Sequence, residues 1–147
     1  MFRNLNAYDN KNYPTYIAAE DMTRGAFIKI NAAAGTVSKA TGLTDKMVNV
    51  AANYDGINSM IAPTDGAFED IKAGDRVIVV TAIPGEKYAT SEVTPGAMAV
   101  GTAMTVTAGK AVSAGTTAGN YNWVYGGTYD DPTGITMYAV CRESATV

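Results

Sequence analysis

The sequence predicts an all-β protein, and three observations carry that reading. Short β-branched or apolar runs of four to six residues recur between glycines and turn residues. No stretch shows the sustained three-to-four-residue apolar spacing of an amphipathic helix. The Ala-rich stretches, such as Asn31-Ala32-Ala33-Ala34-Gly35, are cut by glycine before a helical nucleus can grow.

In chain order, Met1 to Asp21 differs from the rest of the chain, with Tyr8, Tyr13 and Tyr16 set among Asn, Asp and Lys. Pro14 biases Tyr13 toward extended backbone. Residues 1–21 read as an extended N-terminal arm, either a first edge strand on its own domain or an arm whose Phe2, Tyr8, Tyr13 and Tyr16 anchor a neighbour. Residues 22–147 read as a single β domain. Strands are expected at 26–30, 36–40 and 47–51, separated by Gly35 and Gly42. In Ile71-Lys72-Ala73-Gly74-Asp75, Gly74 supplies an unusual φ and Asp75 satisfies local backbone donors, turning the chain into the next strand. That strand, Arg76 to Thr81, is continuously β-branched and reads as covered on both faces, with Ile83-Pro84-Gly85-Glu86 turning it over. Further strands are expected at 104–107, 110–113, 122–125 and 135–140.

The chain also echoes itself. Met22-Thr23-Arg24-Gly25-Ala26 matches Val93-Thr94-Pro95-Gly96-Ala97, and four residues out of step Val37-Ser38-Lys39-Ala40 matches Val112-Ser113-Ala114-Gly115. Two similar β units, or chance in an Ala/Gly/Thr/Val-rich sequence, both account for this.

Composition narrows the function. The 147 residues suit one domain, and 47% hydrophobic residues argue against disorder. The chain has no histidine, which removes Ser-His-Asp and Cys-His catalysis and His-ligated zinc. Its single cysteine, Cys141, makes neither an intramolecular disulfide nor a thiolate metal cage, and fits a reducing compartment. A net charge of −3 with scattered basic residues argues against nucleic acid as a partner. The longest nearly apolar run, Val77 to Ile83, is far too short to span a bilayer as a helix, and the N-terminus has no signal-peptide stretch. Carboxylates are the remaining catalytic currency, but Asp130-Asp131 and Glu69-Asp70 with Asp75 read as turn residues. No cofactor, metal or catalytic residue is expected, and the chain reads as a non-enzyme.

The anomaly is charge. Only 17% of residues are charged, and between Glu92 and Asp130 the only charged residue is Lys110. A solvated small domain usually carries about 25–35% charge on its surface. Either Thr, Ser and Asn hydrate this region, or part of its surface is covered in a homo-oligomer or larger assembly. Tyr121, Trp123 and Tyr125 lie two residues apart and so share one strand face. That aromatic stripe reads as core, as an interface anchor, or as a carbohydrate-stacking platform.

The string Ile71-Lys72-Ala73-Gly74-Asp75-Arg76-Val77, the echoed Thr-x-Gly-Ala openings, the segment from Gly101 to Lys110 and the closing Tyr138-Ala139-Val140 resemble tailed-bacteriophage head decoration (cement) proteins and related small virion structural proteins. The resemblance implies a small β-barrel or β-tulip-like domain, with a β-sandwich the nearest alternative. It implies a trimer seated on the shell of the major capsid protein, on the capsid exterior, after assembly in the host cytoplasm. The arm would grip the shell. A tail, neck or head-fibre component, or a carbohydrate-binding module, is the competing expectation.

Overall fold

The computed structural model describes residues 1–6, 14–42, 49–53, 70–116, 121–132 and 134–146. The described residues form thirteen strands and no helix, so the all-β class holds. The strands are β1 (Phe2–Asn4), β2 (Thr15–Ala18), β3 (Met22–Thr23), β4 (Phe27–Asn31), β5 (Thr36–Lys39), β6 (Asn49–Asn53), β7 (Asp70–Ile71), β8 (Arg76–Val80), β9 (Lys87–Thr90), β10 (Ala103–Thr107), β11 (Lys110–Ser113), β12 (Tyr121–Asp130) and β13 (Thr136–Thr146).

Strands β2, β5, β4, β6 and β8 close a five-stranded barrel in that order. Its interior is filled by Ala18, Met22, Ala26, Ile28, Val37, Ile71, Val77 and Val79. The remaining long strands form a six-stranded sheet in the order β1-β9-β13-β12-β10-β11. One face of that sheet presents Phe2, Tyr88, Met104, Val106, Trp123, Tyr125 and Val140 to a core shared with Phe27, Ala40 and Val80 of the barrel. Strand β8 therefore is covered on both sides, as its unbroken β-branched run predicts. Val77 and Val79 point into the barrel, while Val80 and Ile78 meet the sheet.

The expected arm is, in its described parts, built into both layers. β1 pairs with β9, Phe2 opposite Thr90, and β2 pairs with β8 and, in parallel, with β5. The reason is apolar: Phe2 is buried and stacks on Tyr88 at 5.3 Å, and Ala18 is 1% exposed inside the barrel. Residues 7–13, with Tyr8 and Tyr13, lie outside the described residues.

The internal echo has a topological counterpart. Taken from β2, the barrel runs β2-β8-β6-β4-β5, and the sheet beyond β1 runs β9-β13-β12-β10-β11. Each chain-order equivalent occupies the same place, and every neighbouring pair is antiparallel in both. The barrel closes through the parallel β2·β5 pair. The sheet carries only an isolated parallel bridge between Val93 and Ala111 at the matching seam. It stays open because β1 takes the place beside β9 that β5 takes beside β2.

The joint between the layers is hydrogen-bonded as well as apolar. Thr90, fully buried, donates from Oγ1 to the Gly25 carbonyl at 2.9 Å. The Gly109 amide donates to the Ala40 carbonyl at 3.0 Å, and the Phe27 amide to the Gly109 carbonyl at 2.9 Å.

Candidate interaction surface

The aromatic stripe is a core stripe in its described members. Trp123 is 3% and Tyr125 6% exposed. Trp123 meets the Phe27 ring edge-on at 5.4 Å, and the Arg142 guanidinium lies 5.7 Å from its ring centre. Arg142 is held there by its Nε, which donates to the Ala82 carbonyl at 3.3 Å. With both rings closed off, neither offers a flat surface to a sugar. The side chain of Tyr121 lies outside the described residues, and the β12·β13 register shifts between Tyr121 and Trp123. Tyr16 is half-buried against the barrel core, and Phe2 belongs to the shared core. The described candidates thus serve the chain's own packing and do not come together at a surface.

Of the carboxylates singled out in the sequence, Glu69 lies outside the described residues, and Asp75 and Asp131 take backbone and ion-pair roles. Asp75 Oδ2 accepts from the Lys72 amide at 2.9 Å, beside Gly74 at φ +93°. Asp131 is buried and accepts from Arg3 Nε at 3.0 Å. Asp21, which the sequence did not single out, is held below the ordinary carboxylate range, chiefly by the hydrogen bond its side chain accepts from the Ala73 amide. These groups do not converge on a common cleft.

The surface that does stand out is the other face of the six-stranded sheet. Strand alternation puts Lys87, Cys141, Val124 and Ala103 in one row across β9, β13, β12 and β10, each directly opposite the next. Beside that row lie Ala139, Thr105 and Val112, all half-buried. Toward the β12–β13 turn, the same face is covered by Met1, Leu5, Tyr129 and Ile135 packed on Met137 and Ala89. Elsewhere, among the described residues, it is open. The charge-poor segment between Glu92 and Asp130 supplies β10, β11 and nearly all of β12, so Lys110, two residues before Val112, is the one charged group on the part of this face that it builds.

At its centre is a cleft of about 580 Å³, floored by Val124, Gly126 and Cys141 and flanked by Lys87, Glu143 and Val100. The cleft exists because of a bulge. Tyr125 pairs with Val140 but Gly127 with Ala139, leaving Gly126 as the extra residue. A Cβ on Gly126 would lie 3.1 Å from both the Ala139 Cβ and the Cys141 Sγ, filling the floor. Val100 stands at the rim, 74% exposed. Burial raises the Cys141 thiol above its ordinary pKa; Lys87 opposes that shift and Glu143 adds to it.

Of the residues that line this cleft, sequence reasoning offered only Tyr125 as a partner contact and missed the others. The signals were the uncharged segment and the Gly126-Gly127 pair within a strand, which marks a bulge. Comparison of the chain with protein-family models, curated proteins and solved structures gives no match.

Proposed function

We propose that this chain is a non-enzymatic structural protein that decorates a bacteriophage capsid on its exterior and stabilises it by clamping neighbouring capsid subunits. The observation that carries the reading is the open outer face of the six-stranded sheet, where Lys87 and Glu143 border an apolar floor centred on the Gly126 cleft. Interface centres are depleted in charge in this way. A closed barrel and a sheet edge reduced to three residues in β1 limit edge-to-edge strand addition and favour contact through a face. The capsid as host is drawn from the sequence resemblance to decoration proteins.

The mechanism is thermodynamic. A protein that binds only the assembled shell stabilises it by mass action, and linked copies gain from the high local concentration that the first contact creates. Co-sedimentation tests this. The purified chain should pellet with assembled shells of its phage and leave dissociated capsid subunits in the supernatant. Equal affinity for the two, or none for shells, overturns the proposal.

A further inference from the structure

The proposed role seats the chain in an assembly, and resting on it we propose that the outer sheet face is covered by a second copy of this chain, packed face to face about a twofold axis, so that the pair and not the single chain is the unit that meets the shell. Charge self-complementarity around an apolar floor points to this occupant. Lys87 sits directly opposite Cys141 in the β9·β13 ladder. Glu143, two residues beyond Cys141 on β13, lines the same cleft as Cys141 and Lys87. One positive and one negative group, both exposed, thus border the same cleft. Among the described residues neither has an ion-pair partner.

A twofold axis passing between Lys87 and Glu143 carries each onto the other's position across the interface. Two symmetric ion pairs form from a single patch, which is what an isologous contact requires. A head-to-tail ring would need the two charges on separate patches, whereas here they are diagonal neighbours. The apolar material fits the same arrangement. Val124, Cys141 and the uncovered Gly126 leave a shallow floor, and Val100 at its rim offers a side chain to the partner's cleft. Face-to-face sheets pack about 10 Å apart, a spacing that small side chains permit without leaving buried charge. The opposite face of the sheet is closed on the barrel, so only this face can take part.

The test is sedimentation equilibrium on the full chain without shells, comparing wild type, Lys87→Glu, Glu143→Lys and the double swap. Both positions are exposed, and far-UV circular dichroism with thermal melting verifies that every variant folds. Wild type should show a monomer–dimer equilibrium. Each single swap puts like charges together twice per dimer and should weaken association by about tenfold or more. The double swap should return it to within about threefold of wild type. A wild type that stays monomeric at millimolar concentration, forms trimers, or ignores the single swaps overturns the inference, as does a double swap no better than the singles. The two proposals fail separately: a monomer that pellets with shells sinks only the twofold pair, and a dimer that ignores shells sinks only the decoration role.

Discussion

Gly25 shows how much one position can carry. It lies at φ +91°, where an L side chain is strained, and a Cβ there would run into Thr90 Oγ1 and the Met1 carbonyl oxygen. Its own carbonyl accepts a hydrogen bond from the hydroxyl of buried Thr90. Gly25→Ala should therefore cost about 2–4 kcal/mol in urea unfolding, combining backbone strain with a displaced hydrogen bond. A loss below about 0.5 kcal/mol would contradict this packing. Trp123 is the complementary case, large and enclosed. Trp123→Ala removes the ring that Phe27, Tyr88 and Arg142 pack around. It should lower stability by about 3–5 kcal/mol. A variant that melts like wild type but loses glycan binding would instead restore the platform reading. At this scale the sequence was most informative where chemistry is local. The Gly74-Asp75 turn was legible because its conformation and its hydrogen bond are made within three residues. The aromatic stripe was half legible: alternation puts Trp123 and Tyr125 on one face, but only the tertiary structure decides that the face is inside.

Among the elements, β1 and β12 define the sheet. β1 is three residues long, yet it holds its place through the Phe2–Tyr88 stack and the Arg3–Asp131 pair, whose carboxylate is fully buried. Phe2→Ala should cost about 3 kcal/mol by cavity formation. Hydrogen exchange should show the Leu5 amide, which donates to the Lys87 carbonyl, losing protection before the amides of β13. Uniform loss across the sheet would mean that β1 is not a separable edge. Strands β4, β5, β8, β10 and β11 were legible from their β-branched or alternating runs between glycines. β9 was not, because four residues, Lys87-Tyr88-Ala89-Thr90, carry too little periodicity, although three of them are buried. β12 and β13 proved longer than the alternation suggested, since the Gly126 bulge changes which residues face inward midway along the hairpin.

For the whole molecule, the matched strand orders make the barrel and the sheet two versions of one plan, differing at the seam that β1 occupies. The layers share one core, with Phe27, Ala40 and Val80 on one side and Tyr88, Trp123 and Val140 on the other. Residues 1–82 and 83–147, produced separately, should each lack cooperative unfolding, and mixing them should restore a single transition followed by tryptophan fluorescence. A cooperative melt from either fragment alone would show that a layer is self-sufficient. The echo in the sequence pointed to this plan but could not distinguish descent from coincidence, because short Ala/Gly/Thr matches recur by chance. The outer-face cleft was illegible for a related reason: its members come from β9, β12, β13 and two turns, joined only by long-range pairing.

The placement of β1 also fixes an order of events. Its docking strand, β9, begins more than eighty residues later in the chain, so on the ribosome β1 has no partner strand until β9 has emerged. The barrel can draw together while synthesis continues, but Phe2 must wait for Tyr88, so β1 joins the fold only after the strands that follow it in the first half.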